Sequence, residues 1–193
     1  MKIAMLPGHA RAKEGASVCA GYYKDFGEWA LARTYLIGLC AELEARGVDV
    51  VQTQREDAGG TSPSYSGKAA NATGANLALE WHFNSCEGAE GCEVLHWHKS
   101  AKGKEFAEKL SARLAKLLGV RNRGAKAIGG STDDRGYHAF RVSRMPFFMI
   151  EPCFAGSNPE EARTFGSLIK SGVWQQRVAK IVAETVAEVY GKD

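Results

Sequence analysis

Three short apolar runs, each ending on a side chain that can carry chemistry, constrain this chain more than any other feature. Lys2 to Pro7 leads into Gly8-His9, Leu77 to Asn84 (LALEWHFN) ends on His82 and Asn84, and Phe147 to Ile150 leads into Glu151. Runs this short and this apolar suit strands covered on both faces, whereas an imidazole or a carboxylate in a strand interior has to be satisfied. In an open α/β sheet, ligands gather beyond the carboxyl ends of the strands. Three strand ends therefore offer two imidazoles and a carboxylate to one crevice.

The segments between these runs carry helical spacing. Asp25 opens a helix to Arg46, with Trp29, Leu36, Leu39 and Leu43 on one stripe and Gly47 as its stop. Lys102 to Leu118 is amphipathic, with Phe106, Leu110, Leu114 and Leu117 inward. A last helix from Gly172 to Tyr190 gathers Val178, Ile181, Val182, Thr185, Val186 and Val189 on the face that packs onto the sheet. Shorter helices are expected near Gly67 to Thr73 and from Ser157-Asn158-Pro159, after a surface loop from Glu56 to Ser66 in the first case. Further strands are expected at Asp49 to Thr53, Cys92 to His98 and Tyr137 to Val142, and Val120 to Gly136 reads as an extended loop interrupted at most by a short strand. Strands alternating with helices predict an α/β fold of three layers, a twisted, mainly parallel sheet of about six strands with helices on both faces.

At 193 residues the chain is expected to form one domain, residues 1–193, large enough for an ordinary core. A formal charge of +3 suits an anionic wall polymer but is too small to argue for nucleic acid. The start, MKIAMLPGHA, lacks the apolar stretch of a signal peptide, and no segment is long enough to span a bilayer. The expectation is a protein made in the cytosol without membrane insertion. Five cysteines without CxxC spacing argue against a disulfide framework or a thiolate zinc site, leaving a Cys86–Cys92 bridge across a turn as the one pairing to check.

Catalytic zinc takes three protein ligands from His, Glu or Asp and leaves a fourth position for solvent. His9 and His82 supply two. Glu28, in the first turn of the helix after the long His9 loop, is the best placed third, because the first strand and first helix must pack side by side. Two neutral imidazoles and one carboxylate leave the metal net positive, which lowers the pKa of a water toward ~7 and polarises a carbonyl. Glu151 then serves as the base that takes the water's proton and passes it to a leaving nitrogen. Taken singly, each residue has another reading. Asp25-Phe26-Gly27-Glu28 has capping-box spacing, His82 suits a satisfied core histidine, His9 an ordinary loop residue, and Glu151 an ion-pair partner of Arg141 or Arg144. Their joint arrangement favours the metal site.

At these residues the chain resembles the zinc-dependent N-acetylmuramoyl-L-alanine amidases of the amidase 3 type, which cut peptidoglycan between the lactyl group of muramic acid and the first L-alanine of the stem peptide. The match runs from Pro7-Gly8-His9 and Gly15-Ala16 through Glu28 and its helix to Val48–Arg55 and Asp57. It continues through Ala70-Asn71, His82-Phe83-Asn84, Gly91-Cys92-Glu93-Val94 and Asn122-Arg123-Gly124, and closes on Met145-Pro146, Glu151-Pro152-Cys153-Phe154 and Ser157-Asn158. The resemblance implies one zinc ion on His9, Glu28 and His82, a catalytic Glu151, peptidoglycan as substrate and a twisted six-stranded sheet.

The family usually places Asp before its Gly-His and Gly-Gly after it, where this chain has Leu6-Pro7 and Ala10-Arg11. If that Asp orients a ligand, Glu80 is the candidate replacement, since strand alternation puts it on the face of His82; a solvated or paired carboxylate is the simpler reading. His96 and His98 have metal-like spacing but no third ligand nearby. His138 can be read as lining the cleft, and Cys153 as a nucleophile, but nothing in the sequence supplies Cys153 with a base or a lowered pKa. Arg141 and Arg144 could pair with stem-peptide carboxylates or with Glu151.

The reading is thus a monomeric peptidoglycan amidase released onto the wall at lysis, as with phage endolysins. Its rivals are another zinc hydrolase on the same scaffold, a carboxypeptidase or deacetylase, and a wall-binding module without turnover.

Overall fold

The structure, a computed structural model, describes residues 1–191. Six strands form one sheet: β1 (Lys2–Pro7), β2 (Asp49–Gln52), β3 (Leu77–Trp81), β4 (Cys92–Trp97), β5 (Asn122–Ile128) and β6 (Phe147–Glu151), in the spatial order β2-β1-β3-β6-β4-β5. All pairings are parallel except β4 with β6, which run antiparallel. The expected mainly parallel six-stranded sheet is observed.

Helices cover both faces because every residue of β3 and β6 is buried and so needs apolar cover on either side. On one face Ile3, Met5, Leu79, Trp81, Phe148 and Ile150 pack against α1 (Glu28–Glu44), α3 (Ala101–Leu118), α5 (Pro159–Lys170) and α6 (Val173–Tyr190). On the other, Ala4, Leu6, Ala78, Phe147 and Met149 pack against α2 (Ser64–Ala72) and α4 (Tyr137–Val142). Among the described residues, no helix is long and apolar enough to cross a membrane.

Several expectations need correction. Tyr137 to Val142 is helix α4 rather than a strand. Alternation over six residues cannot separate the two, and packing decides: Ala139 and Phe140 turn onto the sheet, while a Cβ on Gly67 of α2 would collide with the Ala139 carbonyl. The sixth strand is instead β5, seven residues long inside the expected extended loop. It lies at the sheet edge, where one exposed side removes the apolar pattern that marks the central strands. Helix α1 begins at Glu28, because Asp25 adopts a left-handed backbone (φ 69°) that no helix continues through. Strand β3 stops at Trp81, leaving His82 and Asn84 beyond its end. All five cysteines are free, so no Cys86–Cys92 bridge forms.

Candidate active site

The carboxyl ends of β1, β3 and β6 are neighbours in the sheet, and His9, His82 and Glu151 emerge from them. The Gly8 amide donates to the Trp81 carbonyl (2.7 Å), which carries the β1–β3 pairing one residue past β1. His9 then turns with φ 62°, a left-handed conformation rare for a residue with a Cβ, and the turn directs its imidazole back over the strand ends. Two glycines make room. A Cβ on Gly8 would lie 2.5 Å from His82 Nδ1, and one on Gly15 (φ 82°) would lie 2.6 Å from His9 Nε2 and 2.8 Å from Glu28 Oε1.

Glu28 closes the group from the first position of α1. No side-chain cap forms at Gly27, so the capping-box reading of Glu28 does not hold. Its carboxylate points into the cleft instead. Glu28 Oε2 lies 3.0 Å from His82 Nδ1 and accepts the Phe83 amide, while Oε1 lies 3.2 Å from His9 Nε2 and accepts the Ala16 amide. The three ligand-type atoms all fall within 4.8 Å of one another.

Burial works against the Glu28 charge, but the hydrogen bonds to His82 and His9 outweigh it and hold the carboxyl at about 2. His82 is likewise buried, yet the Glu80 and Glu28 carboxylates raise its pKa to about 10 in the metal-free protein. Without a metal, Glu28 and His82 therefore form a buried ion pair, with His9 at the other oxygen of the carboxylate.

Behind His82 stands Glu80, fully buried, with Oε2 3.5 Å from His82 Nε2. Its other oxygen accepts from Arg55 Nη2 (2.9 Å) and Ser66 Oγ (2.5 Å), so the carboxylate is held from the side away from the histidine. Glu80 is paired, and it also faces the ring.

Glu151 lies across the cleft, 4% exposed. Burial pushes its carboxyl up to about 7; His82 and Arg135 oppose this, and the Glu28 and Glu93 carboxylates add to it. Its Oε2 has no hydrogen-bond partner among the described residues. Neither Arg141 nor Arg144 forms an ion pair with it. Arg135 does, with Nη1 3.6 Å from Glu151 Oε1. Nothing in the sequence around Ser131-Thr132-Asp133-Asp134-Arg135 marked this residue, because its partners come from β4, β6 and the end of β3 and are remote in sequence.

His9, Glu28, His82, Asn84, Arg135 and Glu151 line one cavity of about 550 Å³. The other candidates stay outside it. His96 is buried with Nδ1 on the Trp97 carbonyl, His98 is exposed, and His138 stacks edge-on against Tyr137. Cys153 is fully buried, and burial holds its thiol well above the ordinary range, the opposite of an activated nucleophile.

Fold and site together define an α/β protein with a His–Glu–His cluster lining a cleft at the carboxyl ends of its strands. The chain belongs to the N-acetylmuramoyl-L-alanine amidase family, Amidase_3, whose model matches residues 3–188. It is similar to N-acetylmuramoyl-L-alanine amidase LytC of Bacillus subtilis (strain 168), 26% identical over 153 residues, a stretch that is 77% of this chain and 28% of LytC. The chain thus spans less than a third of that relative's length. Its fold is also that of Cwp6 from Clostridium difficile (TM-score 0.77, 19% identity, covering 96% of this chain and 29% of that one). The catalytic domain of CD27L endolysin targeting Clostridia Difficile shares it as well (TM-score 0.73, 22% identity, 97% of each chain).

Proposed function

We propose that this chain is a zinc-dependent peptidoglycan amidase that hydrolyses the bond between N-acetylmuramic acid and the L-alanine of the stem peptide. His9, Glu28 and His82 would hold the metal and Glu151 would be the base. The observation that carries the reading is the convergence of these four side chains, from four separate segments, on one cavity.

The donor set fits zinc. One ligand-type atom from each of His9, Glu28 and His82 lies within 4.8 Å of the others, so that a single ion can reach all three. Nitrogen and carboxylate donors without thiolate match a catalytic rather than a structural site. When bound, zinc supplies a Lewis acid that acidifies water and polarises the scissile carbonyl.

The remaining steps belong to this chain's own side chains. The Glu151 carboxylate accepts a proton from the attacking water and returns it to the leaving nitrogen, so that L-alanine departs as a neutral amine. A carboxyl raised toward neutrality suits both halves of that transfer. Glu80 Oε2 stands 3.5 Å from Nε2 of His82, on the far side of the ring from Nδ1, which is left to the metal. We take the acting unit to be a monomer that reaches the wall after release.

The test is zinc analysis of the purified protein combined with digestion of purified sacculi. The expected result is about one zinc per chain and new L-alanine amino termini. New D-alanine carboxyl products or released acetate would indicate a carboxypeptidase or deacetylase instead, and sedimentation with sacculi without clearing would indicate a binding module.

A further inference from the structure

Glu93 on β4 and Glu151 on β6 are register partners across the antiparallel pair, and both are buried. Like charges directly opposite each other on a sheet repel, so this placement needs a cation. Two arginines reach Glu93: Arg123 Nε meets Oε2 at 2.7 Å, and Arg135 Nη2 meets Oε1. Of these two, it is Arg135 that continues across the cleft. Its Nη1 donates to Asn84 Oδ1 and stands 3.6 Å from Glu151 Oε1, while Asn84 Nδ2 donates to Glu93 Oε1 and closes the frame.

The loop that carries Arg135 is built to hold still. Asp134 Oδ2 accepts the amides of Gly129, Gly130 and Ser131 at 2.8, 2.9 and 3.1 Å. Gly136 follows with φ 75°, and a Cβ there would collide with Met149, so the loop is pressed onto the strand that carries Glu151. The Arg135 side chain is nevertheless 47% exposed on the cavity wall, so it plugs no core.

We propose that Arg135 is a positioning residue for the hydrolytic reaction: its guanidinium, fixed on the Glu93–Asn84 frame, stands beside Oε1 of Glu151 and holds that carboxylate in one orientation at the cavity wall for proton transfer. This rests on the reading of Glu151 as the base. A guanidinium suits the task because its planar fork meets two acceptors at once, which an ammonium cannot do.

The experiment compares Arg135→Ala and Arg135→Lys with wild type in the zinc-loaded enzyme on a soluble muropeptide, with kcat and KM separated, and adds the crystal structure of Arg135→Ala. The expected result is a kcat lower by about 100-fold in Arg135→Ala with KM unchanged, since a misplaced reacting group costs turnover rather than binding. Arg135→Lys recovers part of the loss, and added guanidinium ion restores turnover to Arg135→Ala through the open cavity wall. In the crystal structure, the Glu151 carboxylate turns from its wild-type orientation. If Arg135→Ala does not fold, Arg135→Lys and Arg135→Met carry the same comparison.

A raised KM at unchanged kcat would make Arg135 a docking group for substrate and overturn the proposal. Unchanged constants, or an unmoved Glu151, overturn it equally. Failure of the wild-type enzyme to cleave muropeptide would instead refute the amidase reading, and the Glu151 orientation in Arg135→Ala would still decide the clamp.

Discussion

Glu80 and His82, two residues apart at the end of β3, face each other at 3.5 Å, and neither Glu80 Oε2 nor His82 Nε2 has a hydrogen-bond partner among the described residues. Arg55 and Ser66 hold the carboxylate from behind, so the pair acts as a fixed stop for the imidazole. Outer partners of this kind typically set metal affinity by about 10- to 100-fold. Glu80→Gln is therefore expected to weaken zinc binding by about that factor, measured by competition with a coloured chelator. Unchanged affinity would reduce Glu80 to a structural partner of Arg55.

Glu28 and Glu151 are expected to separate metal binding from turnover. Glu28→Ala removes the carboxylate that meets both imidazoles and should leave the purified protein without zinc. Glu151→Ala should keep about one zinc and lose hydrolysis by about 100-fold or more. Elemental analysis alongside a sacculus-clearing assay checks both. Full zinc in Glu28→Ala would remove that residue from the proposed site.

The raised Glu151 carboxyl has a consequence for the stability of the metal-free protein. Its folded pKa of about 7 lies above the ordinary 4.5, so the unfolded chain releases this proton first as pH rises. Stability from this group is therefore full below pH 4.5, is lost between there and about 7, and is flat above. Metal-free Glu151→Gln lacks the penalty and should gain on wild type by on the order of 3 kcal/mol between pH 4 and 8. Urea titrations of both proteins across that range measure the difference. Parallel pH curves for the two proteins would contradict the assignment.

Gly8 and Gly47 offer a paired test of what a glycine contributes. A Cβ on Gly8 would lie 2.5 Å from His82 Nδ1, whereas Gly47 has φ 76° with nothing within 4 Å. Gly8→Ala should displace the imidazole and abolish zinc uptake. Gly47→Ala should cost only backbone strain, about 1–2 kcal/mol, and leave zinc content intact. Thermal melts with metal analysis separate the two.

The parts of the fold that could be read from the chain are those in which one physical requirement dominates. Central strands covered on both faces must be apolar throughout, and Lys2–Pro7, Leu77–Trp81 and Phe147–Ile150 declared themselves for that reason. Edge strand β5 faces no such demand, and a six-residue helix such as α4 carries too little periodicity to be told from a strand. Within the site, His9, Glu28 and His82 were legible because a strand end or a first helical turn fixes where each points. Arg135 was not, because its place depends on a loop folded by Asp134 against Met149, a relation between segments that no local pattern encodes.

The order of strands in the sheet also sets the order in which a growing chain acquires its parts. β1 and β3, with the histidines at their ends, precede α3, β4 and β5 in synthesis, and β6 slots between β3 and β4 only after both exist. A nascent or truncated chain that stops short of Phe147 lacks the strand carrying Glu151, whatever ion it has gathered. On the proposed reading, lytic competence is thus withheld until the strand that carries Glu151 has been made.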